Sequence, residues 1–272
     1  APGSCAAVPA PLCGPVLGID TSFAASVGLV MPRDPSCAHP TRVRAAAGTR
    51  REAMPTRPEP ARRGAVAACG GSGIVRESGN ARGQVEELTP LIGRVLADAG
   101  VRPRDLAAIV VGTGPAPYTG LRIGLATART LGLALGVPVW GVGALDVLAA
   151  DAAARLFLPS GTRILATGDA KRREIYWARY RAADAGPPVG QDGPAVGAPV
   201  TVPEADVVVG GGAAAYAGVL PPTPGAPVRV DPLMLVRLAM RRAEAGLPQP
   251  TEPLYLRRPD IAPPAPRKRV TA

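Results

Sequence analysis

Two aspartates occupy matching places in this chain. Asp20 closes the apolar run VLGID at 16–20 and Asp169 closes ILATGD at 164–169, and a second extended run begins at the same distance beyond each, at Ser26 and at Ile175. A carboxylate at a strand end can hold a metal-bound phosphate, and two of them facing each other across a cleft would make a phosphate-transfer site. The plainer reading is that each accepts amides of its own hairpin turn. No second set of acidic or basic partners accompanies the pair, and the plainer reading is preferred. A glycine-rich turn, VGTGPAPYTG at 111–120, adds backbone amides, so Asp20, Thr21, Gly112 and Gly114 are the only candidate cofactor contacts. This turn is not a P-loop, because no Lys follows Gly120 and Leu121-Arg122 stand in the wrong place. Neither it nor Gly210–Gly212 supplies the cations that usually hold triphosphate charge, so weak nucleotide binding is expected of the isolated chain.

Other chemistries are excluded by residue count. His39 is the sole histidine and lies in a stretch without apolar period, which rules out an HExxH zinc site and argues against a Ser-His-Asp triad. Cys5, Cys13, Cys37 and Cys69 show no CxxC or other metal spacing, so no metal site is expected. They read as stray thiols of a reducing compartment, and no apolar run approaches membrane-spanning length. The expected location is the cytoplasm.

The formal charge of +10 raises the question of nucleic acid, and its placement answers it. Residues 33–76 hold nine Arg against three carboxylates, and residues 257–272 hold five cations against one. Those two segments account for the whole excess, so the remaining chain is neutral. Both are Pro-rich and lack apolar periodicity, too polar to offset their ordering entropy. The expected organisation is a disordered leader at 1–15, an N-terminal lobe at 16–145 with a disordered insertion at about 32–73, a C-terminal lobe at 146–257 and a basic disordered tail at 258–272.

The elements that must position the candidate residues are legible from periodicity. Ile109, Val110 and Val111 form a β-branched run ending at Gly112, Gly114, Pro115 and Pro117, the pattern of a buried strand stopping at a turn. A helix follows, with Thr119 where an N-cap would stand and Gly136 and Pro138 as the stop. Along it Gly120, Gly124, Ala128, Gly132 and Gly136 recur every four residues, a ridge nearly free of side chains. Interior glycine costs up to about 1 kcal/mol relative to alanine, so repeated use of it has a reason. The ridge lies close on its own sheet or receives a partner's helix, and the spacing alone favours the former. A second amphipathic helix spans 84–99, with Val85, Leu88, Leu91, Ile92, Val95 and Leu96 on one face. Pro90 inside it predicts a kink, or a helix that starts near Thr89. Further on, VGGGAAAYAG at 209–218 echoes the glycine turn at 111–120, as the Asp169 hairpin echoes the Asp20 hairpin. Two features recurring in the same order predict a duplicated α/β architecture.

These landmarks, VLGIDTS at 16–22, VEELTPLI at 85–92, GTGPAPYTGLRIGLATARTLGLALGVPVWGV at 112–142, GDAKRREIYWARY at 168–180 and EPLYLR at 252–257, closely resemble the TsaB (YeaZ) family. The most specific is the central GxGPxxxTGLRxG signature. The resemblance implies an actin/ribonuclease-H-like ATPase fold of two related lobes. It implies a subunit with no active site of its own in the formation of threonylcarbamoyladenosine next to the anticodon of ANN-decoding tRNAs. TsaD would be its heterodimer partner, TsaE would complete the complex, and tRNA would be met through that complex, with ATP and metal on the partner subunits. The chain departs from the family pattern at Gln84, where a His-Gly pair usually precedes the Glu, at Ala116, where the turn usually has glycine, and in its insertion.

With that family in view, the docking surface is expected at Val85, Leu88, Leu91, Ile92 and Val95 of the first helix and at Thr119, Gly120, Leu121, Arg122, Gly124 and Ala128 of the second. Gly124→Leu would then block association without unfolding the subunit, whereas Gly124→Ala, judged on helix propensity alone, would raise stability slightly. Self-association through the same surface is left open. The alternative function is an independent enzyme, a metallopeptidase or a sugar-kinase-like phosphotransferase.

Overall fold

The computed structural model describes residues 14–31, 73–79 and 84–257. The expected leader, insertion and tail, with all four cysteines and His39, therefore lie outside the described residues or at their margins. Alternating and β-branched runs build the first sheet. β1 (Val16–Asp20) turns back into β2 (Ser26–Val30), with Val16 opposite Val30 and Asp20 opposite Ser26, and β2 pairs antiparallel with β3 (Gly73–Glu77). β4 (Ala108–Gly112) runs parallel to β1, and β5 (Val139–Val142) parallel to β4, giving the order β3-β2-β1-β4-β5. Every residue of β1, β2 and β4 is buried. Helices cover both faces, which is why these strands read as unbroken apolar segments. Val30 pairs with Gly73, so the long segment between β2 and β3 leaves and rejoins the sheet at neighbouring strand ends.

On one face, α1 (Gln84–Ala99) and α2 (Tyr118–Leu135) enclose a core in which Leu17, Ile19, Leu29 and Ile109 meet Leu88, Val95, Leu121 and Leu125. α1 runs through Pro90 from Gln84 and does not begin near Thr89. Pro90 removes one helical hydrogen bond, and the buried stripe Leu88, Leu91, Ile92, Val95 and Leu96 outweighs that loss. α2 starts at Tyr118, so Thr119 lies inside the first turn and Pro117 takes the N-cap position with no side-chain cap. Its end is as expected: Gly136 adopts φ 66° and donates its N–H to the Gly132 carbonyl.

The second sheet repeats the plan. β6 (Arg163–Lys171) and β7 (Glu174–Arg181) form a hairpin, β8 (Val189–Gly197) pairs antiparallel with β7, and β9 (Val207–Gly210) lies parallel to β6, in the order β8-β7-β6-β9. This reproduces the first four strands of the first sheet. β8 escapes periodicity reading because it is mostly exposed and contains Pro194, which an edge strand tolerates. After β9 the chain makes only the short α4 (Gly211–Ala215) where the first half makes the long α2.

Between the sheets lie α3 (Ala144–Arg155) and α5 (Pro232–Glu244), packed into one core with Val110 and Val142 of the first sheet and Ile164 and Val209 of the second. α5 rests on the first sheet at Gly18, where an added Cβ would stand 2.7 Å from both the Pro232 carbonyl oxygen and Val236 Cγ2. The Asp146 carboxylate accepts from Tyr180 Oη at 2.6 Å and from Arg242 Nη2 at 2.8 Å, tying α3 to β7 and α5. The first sheet is built from strands up to Val142 and the second from strands beginning at Arg163, and α5 and the segment after it return to the first sheet. No helix among the described residues is long and apolar enough to cross a membrane.

Candidate functional site

The strand-end carboxylates are occupied by their own turns. Asp20 is buried, and its Oδ2 accepts from the Ser22 N–H at 3.1 Å and the Ser22 hydroxyl at 2.6 Å. Its Oδ1 has no hydrogen-bond partner among the described residues and faces Gly112, where an added Cβ would come to 2.5 Å. Burial pushes the Asp20 carboxyl up to about 6, with the Glu77 charge adding to the rise and the Ser22 hydrogen bonds opposing it. The cavity beside it, among Ser26, Glu77 and Arg229, has a volume of about 10 Å³ and room for about one water. Thr21 Oγ1 donates to the Gly120 carbonyl at 2.8 Å, and the Gly114 carbonyl accepts from the Ala144 N–H at 2.7 Å. Gly114, at φ 91°, sits in a conformation that favours glycine. Asp20 thus packs against Gly112 and Thr21 against α2, whereas Gly114 packs against Leu121 and the Leu254 carbonyl. In the second sheet Asp169 Oδ1 accepts from the Lys171 N–H at 2.8 Å and Oδ2 pairs with Lys171 Nζ at 2.5 Å. Both aspartates serve their turns, and no group of three or more His, Cys, Asp or Glu among the described residues is placed to hold a metal ion.

The expected docking residues divide sharply. Leu88, Leu91, Ile92, Val95, Gly120, Leu121, Gly124 and Ala128 are buried in the chain's own core and offer no surface to a partner. The glycine ridge faces this chain's own sheet: a Cβ at Gly124 would run into Thr21 Oγ1, and one at Gly132 into Val139 Cγ2. This corrects the partner-helix reading of the ridge. A 3.6-residue period marks the face that packs, and it marks the chain's own core before any partner's. The exposed remainder is Val85 on α1 and Thr119 and Arg122 on α2, joined by Ala126, Arg129 and Leu133 on the outer face of α2.

A second site was not visible in the sequence. The segment 249–257 crosses from the first sheet to the second: the Gly141 N–H donates to the Gln249 carbonyl at 3.1 Å, the Leu254 N–H to the Thr113 carbonyl at 2.9 Å, and Arg257 Nη1 to the Ala170 carbonyl at 3.2 Å. Between this strap, the Ala116–Tyr118 turn and the β6–β7 hairpin tip lies a cleft of about 270 Å³. Tyr118 and Tyr255 pack ring to ring on its wall at 5.0 Å, and the Arg122 guanidinium stands 5.0 Å from the Tyr118 ring. Lys171, Arg172 and Arg257 line it, and Arg257 pairs with Glu174 at 2.9 Å. The cations that line it come from two segments far apart in sequence, the 171–172 tip and Arg257, which a count along the sequence does not register.

Residues 68–186 match the family model described as TsaD: tRNA N6-adenosine threonylcarbamoyltransferase. The chain is 42% identical over 184 residues to an uncharacterized protein of Mycobacterium tuberculosis, covering 68% of this chain and 80% of that one. It is 33% identical over 123 residues to the Escherichia coli tRNA threonylcarbamoyladenosine biosynthesis protein TsaB, covering 45% of this chain and 52% of TsaB. The crystal structure of an uncharacterized Pseudomonas aeruginosa protein with similarity to peptidase YEAZ superposes with a TM-score of 0.65 at 25% identity, over 90% of this chain and 100% of that one.

Proposed function

Because this chain belongs to the TsaB (YeaZ) family, we propose that it acts as a non-catalytic subunit in forming N6-threonylcarbamoyladenosine next to the anticodon of ANN-decoding tRNAs. In this reading it holds the TsaD transferase in its working form by heterodimerisation, TsaE joins the pair, and ATP and metal reside on those partners. The two sheets are then the duplicated lobes of an actin/ribonuclease-H-like ATPase fold.

The observation that carries the non-catalytic reading is the closed junction at Asp20. In a working phosphate site the strand-end carboxylate faces an open cleft, whereas here its Oδ1 rests against Gly112 beside a cavity of about 10 Å³. The docking surface is the outer face of α1 and α2, where Val85 is 64% and Leu133 86% exposed. Apolar side chains this exposed on adjacent helices suit an interface core. Leu133→Asp, or Val85→Asp, is expected to leave melting unchanged and to abolish co-purification with the cognate TsaD. Retention of the complex by the double variant would refute this surface.

A further inference from the structure

The cleft bounded by Tyr118, Tyr255 and the β6–β7 hairpin tip is not lined by the docking residues Val85 and Leu133, and its chemistry is specific. At the tip, Lys171 and Glu174 pair across a two-residue turn formed by Arg172 and Arg173. Lys171, Arg172 and Arg173 all adopt left-handed backbone, with φ of 62°, 54° and 65°. Such a turn favours Asn and Gly, and charged side chains with a Cβ are strained there. The chain nevertheless places three consecutive cations at the tip, all exposed. Arg257 lines the same cleft and Arg122 stands against the Tyr118 ring on its wall, while among the described residues Asp169 pairs with Lys171 and Glu174 with Arg257.

Beside these charges stand two tyrosines, each 41% exposed. Cations spaced along a tip, next to exposed aromatic rings, are the combination that holds a phosphate backbone and stacks an unpaired base. We infer that this cleft is a direct RNA contact, in which Lys171, Arg172 and Arg173 meet phosphates and Tyr255, packed on Tyr118, stacks an unpaired base of the tRNA. The inference rests on the functional reading above for the identity of the RNA. The contact itself rests on the cleft.

The test uses the full chain in complex with its cognate TsaD and an unmodified ANN-decoding tRNA transcript, with binding followed by fluorescence anisotropy across a salt series. Arg172→Asn/Arg173→Gly removes two cations and gives the turn the residues it favours. This variant is expected to fold with an equal or higher melting temperature, to bind tRNA several-fold more weakly, and to show a salt slope shallower by about 1.5–2. Tyr255→Ala is expected to weaken binding about fivefold or more with the slope unchanged. Parent-like affinity and slope in both variants would overturn the inference, as would displacement of the tRNA from this cleft by micromolar ATP, which would assign it to a free nucleotide. Unchanged tRNA binding by variants whose complex still forms threonylcarbamoyladenosine would sink the RNA contact alone. Weakened tRNA binding by the variants, with no threonylcarbamoyladenosine formed by the parent complex, would sink the functional reading and leave the contact standing.

Discussion

Gly124→Ala places two effects in opposition, and the structure decides between them. Helix propensity alone favours alanine by about 1 kcal/mol in a helix interior. Against this, the new Cβ would collide with Thr21 Oγ1, while lying 3.3 Å from Thr21 Cγ2 and 3.4 Å from Thr21 Cβ. Thr21 cannot simply turn away, because its hydroxyl donates to the Gly120 carbonyl at 2.8 Å in a buried site. Overpacking a core costs about 1–3 kcal/mol, and disturbing a buried hydrogen bond costs about 1–3 kcal/mol more. The net expectation is destabilisation of about 1–5 kcal/mol, the reverse of the propensity argument. Thr21→Ala removes both colliding atoms and leaves only the Cβ at ordinary contact distance, so Gly124→Ala made on that background should be stabilising by up to about 1 kcal/mol. Urea unfolding of the four proteins of this cycle should give a coupling of about 1–3 kcal/mol or more between positions 21 and 124. Stabilisation by Gly124→Ala in the parent, or a coupling near zero, would refute the claim that α2 is seated on Thr21.

Three further expectations follow from other contacts. Asp20 binds its proton more tightly in the folded chain, since its carboxyl is raised from 3.8 to about 6. Its contribution is therefore most favourable below about pH 4, and stability falls as pH rises toward 6, by up to about 3 kcal/mol. Asp20→Asn should flatten that dependence and melt higher than the parent at pH 7; parallel pH profiles would contradict it. Gly141→Ala would drive a Cβ into the Pro250 carbonyl oxygen and to 2.6 Å from Thr113 Cγ2. It should cost about 1–3 kcal/mol and expose the 249–257 strap to limited proteolysis, and an unchanged digestion pattern would show that the strap is not seated there. Replacing residues 32–72 by a short hairpin turn should leave the melting temperature nearly unchanged, because Val30 and Gly73 are already paired. Loss of cooperative unfolding would make the segment structural.

What the sequence disclosed, and what it did not, divides along physical lines. β1, β2, β4, α1 and α2 were legible because their apolar residues follow one period and their ends carry glycine or a turn. The equal spacing from Asp20 to Ser26 and from Asp169 to Ile175 foretold two hairpins on one plan, and both sheets have it. β8 was not legible, since an exposed edge strand containing Pro194 has little apolar pattern to read. The position of α5 was not either: glycines at 18 and 28 leave room for a backbone, but nothing in a one-dimensional pattern says which helix arrives. For the same reason the glycine ridge of α2 showed close packing without showing against what, and the answer was Thr21 of this same chain. The cleft is assembled from Tyr118, Lys171 and Tyr255, residues far apart in sequence, and only the strap at 249–257 makes them neighbours.

The central claim is that this chain is needed for threonylcarbamoyladenosine formation without performing the chemistry. The most direct measurement is reconstitution with purified cognate TsaD and TsaE, ATP, threonylcarbamoyl-AMP and an ANN-decoding tRNA transcript, with the modified nucleoside quantified after digestion. Full product with all proteins present, little or none when this chain is omitted, and none from this chain alone is the predicted result. Undiminished product in its absence, or metal-dependent peptide cleavage or phosphoryl transfer by the chain alone, would contradict the account.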